Sequence, residues 1–150
     1  MDSDGNYTGF KDLPVNYTAE QAKKDGCYVR VNSEAVGGEQ LWENFIQDAS
    51  NNKDASIRIV NIWEDKTYYL DLFYIDGYYR AFDSSSKDLH DYKFKYILTL
   101  EGMMPNASKS GTVTILTDDK DLTYKEVMWS FLSSTSSYHE SISPFKLVFF

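Results

Sequence analysis

The pattern of hydrophobic positions predicts two amphipathic helices. In each segment apolar residues recur at a spacing that places them along one side of a helix. The first stripe consists of Leu41, Trp42, Phe45, Ile46 and Ala49. The second consists of Tyr124, Val127, Met128, Phe131 and Leu132. A helix with one apolar side needs a surface to pack against, so both stripes indicate helices that cover a sheet.

Capping residues predict where helices begin. Thr18 is followed three residues later by Gln21, the pattern in which each side chain caps a backbone N–H at a helix start. We expect a short helix there that ends at Gly26, a residue typical of helix C-termini. Thr123 and Glu126 repeat the pattern and predict the start of the second amphipathic helix.

The central part of the chain predicts a meander of three antiparallel strands. Ser56–Trp63, Lys66–Ile75 and Tyr78–Phe82 are rich in β-branched and aromatic residues. Glu64-Asp65 separates the first two strands, and Asp76-Gly77 predicts a tight hairpin turn between the last two. Further strands are predicted at Cys27–Val31, Tyr92–Leu100, Thr112–Leu116 and Phe145–Phe150.

These elements predict an α+β fold. Helices and strands do not alternate regularly, which argues against a doubly wound parallel sheet. We expect a mostly antiparallel twisted sheet of about five to seven strands with two or three helices packed on one face. Residues 1–16 lack periodicity and predict a flexible tail, and residues 17–150 predict a single domain. The apolar segment Phe145–Phe150 is expected to be paired within the sheet, because an exposed strand of this kind promotes aggregation.

Composition limits the partners of the protein. The net charge of −8 disfavours nucleic acid and anionic membrane surfaces, and Lys23-Lys24 is the only adjacent pair of basic residues. No apolar run has the length of a membrane span, and no signal peptide is evident. The single cysteine, Cys27, excludes an intramolecular disulfide. No cofactor motif is present, and we expect no cofactor.

Four segments resemble a family of small lipoproteins of Gram-positive bacteria that has no assigned function. They are Tyr17–Ala22, Lys24–Gly26 with the following strand, Leu41–Asp48, and Ser56–Val60 leading to Asp71-Leu72 and the Asp76-Gly77 turn. The chain lacks the cysteine pair that family members tend to carry near the C-terminus. The resemblance implies an extracytoplasmic, lipid-anchored or secreted protein whose leader and lipidated cysteine would precede Met1; the alternative is a cytoplasmic protein.

Few residues predict catalysis or metal binding. Cys27 with His90 or His139 would form a thiol–imidazole pair of the kind that a small hydrolase uses, but a buried structural cysteine is the simpler interpretation. The histidines have no neighbours at zinc-binding spacing, which indicates two exposed loop residues. The acidic segment 118–121 could bind calcium, yet it lacks the EF-hand pattern and suits a solvated turn.

Aromatic residues are the best candidates for a binding surface. Trp63, Tyr69, Tyr78 and Tyr79 lie in or beside the predicted hairpins, and rings left exposed there would contact a sugar or a partner protein. The alternative is that these rings pack in cross-strand pairs. The sequence therefore favours a non-enzymatic binding or interaction domain for a protein or glycan partner. A hydrolase that uses carboxylates or Cys27, or an intracellular accessory protein, is the alternative.

Overall fold

The computed structural model describes residues 1–14, 16–105, 107–132 and 142–150. The helices are α1 (Ala19–Lys24), α2 (Glu39–Ser50) and α3 (Tyr124–Leu132). The strands are β1 (Tyr28–Val31), β2 (Glu34–Gly37), β3 (Ala55–Trp63), β4 (Lys66–Ile75), β5 (Tyr78–Asp83), β6 (Tyr96–Gly102), β7 (Gly111–Thr117) and β8 (Phe145–Phe149). The predicted α+β class, with helices packed on mostly antiparallel sheets, is confirmed.

The chain folds into two compact units, residues 1–93 and residues 94–150. In the first unit the strand order is β2-β1-β3-β4-β5; the β1–β3 pair is parallel and the other three pairs are antiparallel. In the second unit the order is β6-β7-β8, and both pairs are antiparallel. The strands thus divide between two sheets, whereas the sequence pattern predicts one. Alternation of apolar and polar residues marks strands but does not specify which strands become neighbours.

Helix α2 covers one face of the five-stranded sheet. Its buried Phe45 lies 6.3 Å, between ring centroids, from Tyr79 on the edge strand β5. Its Trp42 meets the ring of Tyr28 edge-on at 5.9 Å. Tyr28 is paired with Ile59, which is fully buried, so the apolar stripe of α2 lies over the centre of the sheet as its spacing predicts.

The opposite face of this sheet is covered by α1 and by the N-terminal segment. Ala22 of α1 packs with Val29, Val60 and Tyr69 in a buried cluster. Successive strand residues point to opposite faces, so the side chains of Val29 and Tyr28 lie on different sides of the sheet. Partly buried residues that complete this cluster include Phe10, Leu13 and Tyr17. The predicted capping box of Thr18 and Gln21 starts α1 and is confirmed.

The N-terminal segment is tied to the sheet at several points. The ring of Tyr7 stacks on Phe82 at a centroid distance of 4.2 Å, and its backbone N–H donates to the carbonyl of Leu89 at 2.9 Å. The hydroxyl of Tyr69 donates to the carbonyl of Pro14 at 2.6 Å. Residues 1–14, for which the sequence predicts a flexible tail, therefore contribute aromatic rings to the first unit.

Both hairpin turns of the meander adopt left-handed backbone conformations. Asp76 and Gly77 have φ values of 54° and 83°, the geometry that the Asp-Gly pair predicts. Glu64 and Asp65 have φ values of 48° and 63°, although neither is a glycine. The β3–β4 turn thus has the same backbone handedness as the β4–β5 turn, although Glu64 and Asp65 adopt a positive φ less readily than glycine does.

The second unit packs α3 on its three-stranded sheet. The buried core consists of Val113, Ile115, Leu122 and Val127. The ring of Tyr124, the first residue of α3, lies over the cross-strand pair Gly102 and Gly111, where a Cβ atom on Gly102 would approach ring carbons to 2.5 Å. The predicted capping box of Thr123 and Glu126 is present at the start of α3.

In the second unit, β6 begins later than predicted, and β8 lies at the edge of the sheet. β6 begins at Tyr96, four residues after the alternation that begins at Tyr92. Leu98 and Leu100 of that strand pack against the core below α3. The apolar segment Phe145–Phe149 forms β8, pairs with β7 as expected, and occupies an outer position of the three strands.

Candidate functional site

The four aromatic residues predicted to form a binding surface differ in exposure. Tyr69 and Tyr79 are buried, at 5% and 8% relative exposure. Trp63 is 50% exposed and Tyr78 is 38% exposed. Tyr69 belongs to the core below α1, and Tyr79 packs against Tyr74 at a ring-centroid distance of 4.8 Å. The alternative interpretation, in which the rings pack inside the protein, therefore applies to Tyr69 and Tyr79.

The two exposed rings do not lie together, which corrects the prediction of one shared aromatic patch. Trp63 is paired with Lys66 at one end of β4, and Tyr78 is paired with Ile75 at the other end. Nine residue steps along a strand span roughly 30 Å. The two rings also project from opposite faces, because Lys66 and Ile75 differ by an odd number of positions.

Trp63 instead has polar neighbours on its own face of the sheet. The register pairs Trp63 with Lys66 and Asn61 with Tyr68. Asn61 and Trp63 are two residues apart, so their side chains leave the same side of β3. Asn61 and Tyr68 are half-buried, whereas Trp63 and Lys66 are exposed. We call these four residues, Asn61, Trp63, Lys66 and Tyr68, the Trp63 surface.

The Trp63 surface lies at the end of the β3–β4 hairpin. β1 pairs with β3 as far as Ile62, and the last pair of the hairpin, Trp63 with Lys66, lies beside the turn at Glu64 and Asp65. Arg30 of β1 is next to Asn61 and is buried, and its guanidinium donates to the hydroxyl of Tyr28 at 3.1 Å and to the carbonyl of Ser33 at 2.6 Å. The floor beside the Trp63 surface is therefore held in place by hydrogen bonds.

The chemistry of the Trp63 surface suits recognition. An exposed indole offers a flat apolar face for a sugar ring or an apolar side chain. The Asn61 amide both donates and accepts hydrogen bonds, the Tyr68 hydroxyl does the same, and the Lys66 ammonium donates. A flat ring bordered by such groups can bind and orient a ligand.

A partly buried ion pair lies on the opposite face of the sheet. Arg58 donates from Nε and Nη2 to the two carboxylate oxygens of Asp71, each at 2.7 Å, and Asp71 is 3% exposed. Tyr7 Oη donates to Asp71 Oδ2 at 2.5 Å. Burial and this hydrogen bond raise the pKa of Tyr7 to about 12, and the hydrogen bonds to Asp71 raise the pKa of Arg58. The three side chains join the N-terminal segment to β3 and β4.

Cys27 does not have the surroundings of a catalytic thiol. It is partly buried against the cluster of Ala22 and Val29, and burial raises its pKa. A raised pKa keeps the thiol protonated at neutral pH, whereas nucleophilic cysteines need a lowered one. The residue precedes β1 rather than lying within the predicted strand.

Among the described residues, His90 does not form a thiol–imidazole pair with Cys27. His90 is exposed, and its Nδ1 lies 2.9 Å from Asp88 Oδ1. That contact with the ring of His90 is the main cause that lowers the pKa of Asp88 to about 2. His139 lies outside the described residues. The interpretation of an exposed loop histidine therefore holds for His90.

The acidic residues at 118–121 organise a turn. Asp118 Oδ1 accepts from the backbone N–H of Lys95 at 2.9 Å, and Asp119 Oδ1 accepts from the N–H of Asp121 at 3.0 Å. Among the residues with described positions, no group of three or more histidine, cysteine, aspartate or glutamate side chains could hold a metal ion.

Sequence reasoning found Trp63 but not its polar neighbours. Asn61 looks like any polar residue of an alternating strand, and only the pairing of β3 with β4 places it beside Tyr68. The signal available in the sequence was the two-residue interval between Asn61 and Trp63, which puts both on one face.

Comparisons with known proteins do not assign the chain to a family. No family model matches the chain, and no curated protein or solved structure matches it. Within residues 1–14, 16–105, 107–132 and 142–150, no helix is both long and apolar enough to cross a membrane.

Proposed function

We propose that the protein is a non-enzymatic binding domain that recognises a protein or glycan partner through the Trp63 surface. The observation that carries this proposal is the half-exposed indole of Trp63 with Asn61 and Tyr68 on the same sheet face. Tryptophan and tyrosine are enriched at binding hot spots because they give a large, rigid contact area. The hydrogen-bonded floor at Arg30 supports this surface, so binding requires little rearrangement.

We further propose that this domain is the soluble part of an exported bacterial lipoprotein. The support is the resemblance of segments such as Tyr17–Ala22 and Leu41–Asp48 to that family of lipoproteins. An extracytoplasmic domain would meet glycans and surface proteins, which is consistent with an aromatic recognition surface. Fractionation of the source cells with an antibody against the domain tests this address: recovery in the membrane or cell-wall fraction supports it, and recovery in the cytosol contradicts it.

A screen with a matched pair of variants tests the binding function. The labelled protein is applied to arrays of bacterial and host glycans and of surface-protein peptides, and every positive ligand is titrated. Trp63→Ala should weaken binding at least tenfold, because truncating an aromatic anchor costs more than about 1.4 kcal/mol. Trp129→Ala is the control, because Trp129 is 38% exposed and lies in the second unit.

The two variants separate specific recognition from general stickiness. Equal loss of binding in both would show that the ligand does not depend specifically on Trp63 and would contradict the assignment to the Trp63 surface. Full binding by the Trp63→Ala variant would contradict it as well. Lys66→Ala gives a further comparison, since loss of its ammonium should affect charged ligands more than neutral ones.

A further inference from the structure

A slot lies beside the first four residues of β3, at the opposite end of that strand from Trp63. Its volume is about 270 Å³. α2 forms one wall with Leu41, Asn44, Phe45 and Asp48, and Gly26 borders it before the start of β1. The eight residue steps from Ala55 to Trp63 span roughly 25 Å, so the slot and the Trp63 surface are separate sites.

One side of the slot is an unpaired strand edge. Within the described part of the chain, β1 pairs with β3 only from Tyr28 opposite Ile59 to Val31 opposite Ile62. Residues 55–58 pair with β4 on their other side. In an antiparallel ladder alternate residues direct both backbone groups away from the partner strand. The carbonyl of Ile62 accepts from Asn32, so the even-numbered residues of β3 face the β1 side. Ser56 therefore directs both its N–H and its C=O toward the slot, and Arg58 directs its N–H there, because the C=O of Arg58 faces Tyr28 at the start of the β1–β3 pairing.

The segment that precedes β1 does not continue along this edge. Before Tyr28 the backbone turns away through Gly26, whose φ of 77° is left-handed, and enters α1. A Cβ atom on Gly26 would meet nothing within 4 Å, so the space beside this residue is open. If β1 began a few residues earlier, it would lie along residues 55–58. An extended segment from another molecule could occupy that position instead.

The charge in the slot indicates which segment fits. Asp48 is half-buried there, and no ion pair among the described residues involves its carboxylate. The other charged group, Arg58, is already neutralised by its two hydrogen bonds to Asp71. Asn44 and Ser56 add exposed polar groups. With a net charge of −8 for the whole chain, the slot favours a cationic ligand.

We propose that this slot binds an extended basic peptide segment, which pairs with the edge of β3 and places a lysine or arginine against Asp48. Strand addition of this kind takes affinity from main-chain hydrogen bonds and specificity from side-chain positions. The exposed apolar residue Leu41 accepts alternate side chains of the peptide, because successive residues of a strand point to opposite sides.

A titration followed by NMR of the ¹⁵N-labelled full chain tests this proposal. The probe is an acetylated and amidated hexapeptide of alternating valine and lysine. The expected result is saturable shifts of the amide signals of residues 55–58 and of the α2 residues that line the slot. A valine–glutamate hexapeptide is expected to bind at least tenfold more weakly. Absence of saturable shifts at 2 mM valine–lysine peptide, or shifts centred elsewhere, would overturn the proposal.

One further comparison separates strand pairing from simple charge attraction. A valine–lysine peptide with alternate backbone nitrogens methylated keeps its charge but loses hydrogen-bond donors, and it should lose binding at least fivefold. Equal binding by the methylated peptide would overturn the strand-pairing assignment. Because this control changes only the peptide, it does not depend on the folding of any variant.

A matched pair of variants tests whether the basic side chain of the peptide lies against Asp48. Asp48→Asn should weaken binding about fivefold, corresponding to about 1 kcal/mol for one partly exposed ion pair. Glu43→Gln removes the same charge from an exposed α2 position outside the slot and should have little effect. Equal effects of the two substitutions would contradict the role of Asp48. Trp63→Ala should bind the peptide normally, so failure at one site is distinguishable from failure at the other.

Discussion

At the scale of single residues, the contact of Tyr7 with Asp71 has the greatest structural consequence. Asp71 is buried, and a buried carboxylate is tolerated only when its oxygens are paired and hydrogen-bonded. Arg58 supplies the charge, and Tyr7 supplies a further donor from the N-terminal segment. The hydroxyl of one tyrosine thus holds a segment for which the sequence predicts no structure.

Tyr7→Phe should lower the free energy of unfolding by about 1–2 kcal/mol, because a half-buried hydrogen bond to a carboxylate is lost. Tyr92→Phe is the matched control: its hydroxyl donates to Asp88 at 2.9 Å on the surface, and its loss should leave the free energy of unfolding nearly unchanged. Urea denaturation measures both. Equal destabilisation by the two substitutions would contradict the structural role of Tyr7.

Alkaline pH should destabilise the protein between about pH 10 and pH 12. The folded pKa of Tyr7 is about 12, whereas an unfolded tyrosine titrates near ~10. The unfolded state therefore loses its proton first, and the stabilisation present below pH 10 disappears as the pH approaches 12. Urea midpoints measured from pH 8 upward should fall less steeply for Tyr7→Phe. Parallel profiles would show that Tyr7 does not contribute.

At the scale of elements, the two turns of the meander show how far turn chemistry can be read from residues. Asp76-Gly77 is a favourable sequence for a left-handed turn, and the turn forms where it is predicted. Glu64 and Asp65 adopt the same handedness without glycine, because the long β3–β4 ladder holds them there. This hairpin carries Trp63 at its end, so its turn affects the Trp63 surface directly.

Asp65→Gly should raise the free energy of unfolding by about 0.5–1 kcal/mol, because glycine adopts a positive φ without steric cost. Gly77→Ala should lower it by about 1 kcal/mol through backbone strain alone, since a Cβ atom there meets nothing within 4 Å. Thermal or urea unfolding measures both changes. If Asp65→Gly were neutral or destabilising, the assigned strain at Asp65 would be incorrect.

At the scale of the whole molecule, the excess of acidic residues sets the response to salt. The chain has 23 acidic and 15 basic residues, so like charges repel one another in the compact state. The prediction that nucleic acid is a poor partner rests on the same excess. The slot beside β3 would use this charge to attract basic segments.

Sodium chloride should raise the urea midpoint between 0.01 M and 0.1 M, because the Debye length falls from about 30 Å to about 10 Å and repulsion is screened. Glu43→Lys reduces the net negative charge by two at an exposed position and should make the salt response smaller. A midpoint that falls with salt in the wild-type protein would indicate that attractive ion pairs outweigh the repulsion.

The sequence alone determined the features that depend on neighbours along the chain. The capping boxes at Thr18 and Thr123, the stripe of α2 and the Asp76-Gly77 turn all formed as predicted, because each rests on contacts within a few residues. The α+β class follows from the same local patterns. The family resemblance, the address and the binding function remain proposals.

Only the tertiary structure decided which residues meet across the sheets. It divided the strands into two units, buried Tyr69 and Tyr79, placed Trp63 and Tyr78 at opposite ends of β4, and joined Tyr7 to Asp71. It also ended the pairing of β1 at Ile59, so the first residues of β3 pair with β4 alone and border the slot beside α2. The physical reason is that strand order and register depend on contacts between residues far apart in sequence, whereas periodicity reports only what lies a few positions away.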